Sequence, residues 1–191
     1  MAVPLIVGIG GTTRPGSTSE RAMQVALAHV RALGCEALAF GAGQLPQALY
    51  VPGHGDGGAL ALDLLAALRR ASGVVLATPA YHGGISGLIK NVLDYVEELR
   101  DDARPYLSER AVGCIVCADG PQAMGTALTS LRSTVHALRG WPTPYGAAVH
   151  AASDPFGVRS GVPDPAAQRA CQVVAEEVCF FARRMAVCAA D

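Results

Sequence analysis

Short apolar runs alternate along this chain with segments whose apolar residues recur every three or four positions. Leu5 to Ile9 is a continuous apolar run and predicts a first strand. Met23, Leu27, Val30 and Leu33 then fall on one face of a helix. Cys35 to Phe40 predicts a second strand, followed by a Gly/Pro-rich loop from Gly41 to Gly58. Ala61, Leu65 and Leu68 mark a second helix, and Gly73 to Thr78 a third strand. A third helix is expected from Ser86 to Arg100, and a fourth strand from Arg110 to Cys117. Met124, Leu128, Leu131, Val135 and Leu138 step around a fourth helix. Thr143 to Val149 predicts a fifth strand, entered through Trp-Pro-Thr-Pro. A loop from Ser153 to Pro165 precedes a last helix carrying Val174, Val178, Phe181 and Met185.

Regular alternation of strand and helix calls for a doubly wound parallel sheet with right-handed crossovers. Both common strand orders, Rossmann-like and flavodoxin-like, place a ligand beyond the C-terminal strand ends. The loops after strands one, three and four are therefore the candidates for function. A length of 191 residues suits a single domain, 1–191. A composition 51% hydrophobic and 16% charged suits a sheet covered on both faces. The formal charge of −1 gives no general attraction for nucleic acid or an anionic membrane. No apolar run approaches the ~20 residues of a membrane span. The start, MAVPLIVGIGG, lacks the basic stretch of a signal peptide, so a cytoplasmic protein is expected.

Cys114 and Cys117 form a C-x-x-C within an apolar strand-like run. An offset of three in a strand turns two thiols to opposite faces, which favours buried structural cysteines over metal or disulfide chemistry. No second pair stands at zinc spacing, and no metal is expected.

The loop after strand one, Gly10-Gly-Thr-Thr-Arg-Pro-Gly-Ser-Thr-Ser19, combines hydroxyls, a guanidinium and the N–H groups of a helix start. Such a set suits a phosphate monoester, although a capped helix with a solvated arginine has the same composition. The loop lacks the Gly-Lys-Ser/Thr of a nucleoside triphosphate site and the third glycine of a dinucleotide site. Strand two ends Leu38-Ala-Phe-Gly41 without an acidic residue for a ribose. A terminal phosphate, as in FMN, is what remains.

After strand three comes Thr78-Pro-Ala-Tyr-His-Gly-Gly-Ile-Ser-Gly87, leading into Leu-Ile-Lys90-Asn91-Val-Leu-Asp94-Tyr95. Together with the first loop, this segment resembles the NADPH-dependent FMN reductase family of flavodoxin-like proteins. Members carry G-S-x-R-x-x-S-x-N/S and P-E-Y-N-G-S-I-P-G-x-L-K-N-A-I-D-W, and the likeness covers roughly residues 3 to 150. It implies an α/β fold: three layers around a flavodoxin-like, five-stranded parallel sheet of order 2-1-3-4-5. By resemblance Thr12, Arg14, Ser17, Thr18 and Ser19 hold the FMN phosphate. Pro79, Ala80, Tyr81, His82 and Gly83 line the isoalloxazine, and Ala118, Asp119 and Gly120 form a third contact. The chain departs from the pattern at Thr12 (usually Ser), Ala80 (Glu), His82 (Asn) and Tyr95 (Trp).

The resemblance implies ping-pong hydride transfer from NADPH or NADH through FMN N5 to a flavin or quinone-like acceptor. No dedicated catalytic side chain is needed, and His82 is the one candidate for orienting or protonating a substrate. An FMN-dependent dehydrogenase or oxidase of one small metabolite is the alternative; an electron carrier of the flavodoxin kind is a second. His29, His54, His136 and His150 share no spacing with carboxylates and receive no role. The helix over 86–100 carries two apolar rows, Ile85-Ile89-Val92-Val96 and Leu88-Val92-Tyr95-Leu99. A second row facing water predicts a homo-oligomer, with a dimer through this helix expected, unless the Gly41–Gly58 loop covers it.

Overall fold

Residues 3–53 and 57–188 are described by the structure, a computed structural model. Its parallel sheet is built from β1 (Leu5–Gly10), β2 (Glu36–Phe40), β3 (Gly73–Tyr81), β5 (Ala111–Ala118), β6 (Trp141–Pro142) and β7 (Ala147–His150). The order is β2-β1-β3-β5-β6, with β7 also on β5. Once β6 and β7 are taken as one interrupted fifth strand, this is the expected order 2-1-3-4-5. The interruption has a chemical cause. Pro142 and Pro144 have no N–H to give a ladder, so pairing stops and resumes at Ala147.

Helices cover both faces. On one lie α1 (Thr18–Ala32) and α5 (Pro165–Cys188), which bury Met23, Leu27, Val174 and Val178 against Ile6, Val75 and Ile115. On the other lie α2 (Ala59–Arg70), α3 (Gly87–Asp94) and α4 (Pro121–Ala137), packing Leu64, Leu68, Val92 and Leu131 on Val7, Leu76 and Val116. Two strand glycines allow the close approach of the first layer. A Cβ at Gly8 would lie 2.6 Å from Leu27 Cδ1, and one at Gly113 would lie 2.3 Å from Val174 Cγ1. Cys114 belongs to one core and Cys117 to the other, as strand alternation requires. Among the described residues no helix is long and apolar enough to cross a membrane.

Two expectations need correction. The helix over 86–100 is α-helical only to Asp94 and continues as a 3₁₀ turn, Tyr95–Leu99. Its second apolar row does not face water: Val92, Tyr95 and Leu99 are buried within the chain and Leu88 is half-buried. The loop after β2 covers it. Asn91 donates to the carbonyls of Pro46 and Ala48 (3.3 and 2.8 Å) and accepts from the Tyr50 N–H at 2.9 Å. The apolar-row argument for a dimer is thereby removed. Nothing is described of His54, which lies outside the described residues.

Candidate functional site

The loops after β1, β3 and β5 open together at the C-terminal edge of the sheet, into one cavity of 470 Å³. The first loop contributes Thr12, Arg14, Ser17, Thr18 and Ser19; β3 contributes Pro79, Ala80 and Tyr81; the end of β5 contributes Ala118, Asp119 and Gly120. Eleven of the thirteen residues expected from sequence line this one space. His82 and Gly83 do not. They border an adjoining cavity of 330 Å³ with Gln122, Ala123 and Thr126, and Ala123 is common to both.

At the β1 end the chain is shaped by capping. Ser17 is the N-cap of α1, its Oγ accepting from the Glu20 N–H at 3.3 Å. Gly11 turns the chain at φ 106°, and its N–H donates to the Ala77 carbonyl at 3.2 Å, tying the loop to β3. The capping alternative is thus realised at Ser17, yet it leaves donors over. The N–H groups of Thr18 and Ser19, the Thr18 hydroxyl and the Arg14 guanidinium bond to no partner among the described residues. Unpaired donors at a helix start, with a cation beside them, are what a dianionic phosphate requires.

The opposite end is a tight hairpin. Ala80 pairs with Ile85 and Tyr81 with Gly84 across the short strand β4 (Gly84–Ile85). The two turn residues, His82 and Gly83, both have positive φ, 52° and 81°. That is the I′ arrangement, in which Asn-Gly is favoured, and it explains why an Asn stands in the family pattern where this chain has His82. Behind the hairpin the Thr78 hydroxyl accepts from the Ser86 N–H at 3.1 Å, and Ser86 in turn caps α3 through Ile89 N–H. The strand end is therefore fixed to the helix that follows it.

Sequence reasoning missed Cys117, Ala123 and Ala151, which also line the 470 Å³ cavity. Ala151 follows β7, so the loop after the fifth strand joins the other three; its position at the same sheet end was the available signal. Burial pushes the Cys117 thiol far up, with the Cys171 thiol adding to the effect, so it sits in the cavity wall as a neutral group. Among the lining residues Arg14 is the one base and Asp119 the one acid. No cluster of His, Cys, Asp and Glu that could hold a metal occurs among the described residues.

The sequence model described as NADPH-dependent FMN reductase matches residues 4–154. The chain belongs to that family. It is an FMN-dependent oxidoreductase. Solved structures share the fold at low identity. The apo form of the NADH:FMN oxidoreductase EMOB is 21% identical, over 95% of this chain and 90% of that one, with a TM-score of 0.69. FerB, the NAD(P)H:(acceptor) oxidoreductase of Paracoccus denitrificans, is 14% identical over 96% and 99%, with a TM-score of 0.73. Oxidised flavodoxin 2 of Bacillus cereus is 14% identical over 95% and 99%, with a TM-score of 0.62, and the fold is flavodoxin-like. The family's cofactor suits this site: the unpaired donors stand at one end, and small residues (Ala80, Ala118, Ala123, Ala151) leave width for a flat ring beside them.

Proposed function

We propose that the protein takes reducing equivalents from NAD(P)H and delivers them, by way of FMN, to a flavin or quinone-like acceptor in a ping-pong cycle. The observation that carries this reading is the single cavity in which a donor-rich helix start and the end of β3, Pro79 to Tyr81, come together. Bound FMN would supply the redox chemistry, taking hydride at N5 and giving it up again. The chain's part is binding and placement. Arg14 and the Thr18 and Ser19 N–H groups would neutralise the phosphate, and the backbone of Pro79, Ala80 and Tyr81 would border the ring. Cys117 contributes a neutral wall, since its thiol holds its proton. The test is steady-state NAD(P)H oxidation with free flavin or quinone as acceptor. Parallel double-reciprocal plots are expected; intersecting plots would overturn the ping-pong scheme.

A second reading has one observation in its favour. The His82 imidazole and the Gln122 carboxamide face the adjoining 330 Å³ cavity, and neither has a partner among the described residues. Such a compartment suits a specific small metabolite as the hydride donor or acceptor. Loss of activity on one metabolite in His82→Asn, with NAD(P)H:quinone activity kept, would favour it.

We also propose a homodimer, now on different grounds. Leu49 and Val51 flank Tyr50 on the loop that covers α3, and they are 80% and 49% exposed. Two apolar side chains held outward on an anchored loop form the core of a contact surface. Sedimentation equilibrium at micromolar protein should give twice 19.6 kDa; a species at 19.6 kDa would remove the proposal.

A further inference from the structure

We infer that Glu20 is a positioning residue that locks the phosphate loop to the loop after β2. Its carboxylate accepts two backbone N–H groups from different parts of the chain. Oε2 takes Gly16 N–H at 2.5 Å, and Oε1 takes Ala42 N–H at 3.0 Å. Ordinary capping does not account for this. Within α1 the cap is Ser17, which already serves the Glu20 N–H, whereas Gly16 precedes the cap and Ala42 follows another strand. The surrounding backbone is shaped to admit the carboxylate. A Cβ at Gly41 would stand 2.3 Å from Oε1, and one at Gly11 would stand 3.1 Å from the Glu20 Cβ.

Charge strengthens the inference. A carboxylate one turn into the helix that presents the phosphate donors would repel an anion if it faced the same space. Glu20 does not line the 470 Å³ cavity; it borders a separate cleft with Pro15, Gly16 and Arg21, and its oxygens are occupied by N–H donors. With the Gly16 N–H taken, those of Thr18 and Ser19 stay open. The same carboxylate starts the strap that Asn91 fastens further on, at Pro46, Ala48 and Tyr50. One side chain therefore sets the phosphate loop and the cover of α3 together.

The inference rests on the phosphate reading of the loop, and its test separates the two. Hydrogen exchange is measured on the protein free of FMN, alongside FMN and riboflavin affinities, for the wild type, Glu20→Ala and Glu20→Gln. In Glu20→Ala the Gly16 and Ala42 amides should lose protection. FMN affinity should fall about tenfold, the loss of one charge-assisted hydrogen bond, with riboflavin changed less than about twofold. Glu20→Gln keeps the length but only one acceptor oxygen, so one of the two amides should stay protected while the other loses protection, with FMN affinity between those of the wild type and Glu20→Ala; it also carries the test if the alanine variant does not fold. Unchanged protection in Glu20→Ala would overturn the lock, as would lost protection with wild-type FMN affinity. If the wild type binds riboflavin as tightly as FMN, the phosphate reading fails, and amide protection alone then decides the role of Glu20.

Discussion

Tyr50 and Tyr95 meet edge to face, with ring centroids 5.2 Å apart and planes at 64°. The contact joins the loop after β2 to the 3₁₀ turn that continues α3, and both hydroxyls are used. Tyr95 donates to the Ala48 carbonyl at 3.1 Å and Tyr50 to Glu98 at 2.8 Å. Desolvation and the bond to Glu98 push the Tyr50 phenol up to about 12, so it remains a donor across the working pH range. Asn91 fastens the same loop through three backbone groups. Asn91→Leu keeps the branched shape but leaves the Pro46 carbonyl and the Tyr50 N–H without their partner, and it should cost about 2–4 kcal/mol in urea unfolding. A loss below about 0.5 kcal/mol would mean that the loop is held without Asn91, by the tyrosines and the Glu20 bond to Ala42.

The row Leu88-Val92-Tyr95-Leu99 shows what was and was not legible in the sequence. Periodicity identified the apolar positions, and they are largely buried. It said nothing of what covers them, because a loop reads the same whether it folds back or extends. Alternation and crossover handedness left two strand orders open, and the family resemblance chose between them; the break at Pro142–Pro144 was not legible, since β-rich residues flank it. At the site, loops with unusual composition stood out, whereas Ala123 and Ala151 are small residues with no signature of their own, and the C-x-x-C at Cys117 pointed to the core. Leu99 is fully buried, so Leu99→Glu should abolish folding instead of separating a folded dimer. Circular dichroism of the purified variant checks this, and a folded monomer would contradict it.

Arg14 carries the charge at the phosphate end, and its guanidinium has no partner among the described residues. Arg14→Ala should weaken FMN binding by about 1.5–3 kcal/mol, the range for a hydrogen bond to a charged group. Riboflavin, which has no phosphate, should be nearly insensitive. Equal losses in a fluorescence titration would show that the guanidinium serves the ring end or the loop itself.

His82 occupies a left-handed turn position, φ 52°, that Asn adopts more readily. His82→Asn should therefore hold or raise stability, by about 0.5 kcal/mol at most, and leave NAD(P)H:FMN activity within a few-fold. His82→Val is the control, because a β-branched side chain at positive φ is strained and should lower Tm. A large loss of NAD(P)H:FMN activity in His82→Asn would place the imidazole in the reaction itself.

Glu176 couples acid stability to the packing of α5 on α1. Arg169 reaches it through both terminal guanidinium nitrogens, at 2.6 and 3.1 Å, and the His29 Nε2 lies 3.0 Å from the same carboxylate. The Arg169 hydrogen bonds, and then that of His29, hold the Glu176 carboxyl below its ordinary 4.5. A depressed carboxyl stabilises the fold fully above its unfolded value. As pH falls below 4.5 the unfolded chain takes up the proton first, and the contribution is gone once pH has dropped through the folded value. Glu176→Gln removes the ionisation, so its urea midpoint should fall less than that of the wild type between about pH 5 and pH 3. The groups are partly exposed, and salt should shrink the difference between the two proteins. Parallel pH profiles at low ionic strength would show that the ionised Glu176 lends the native state nothing.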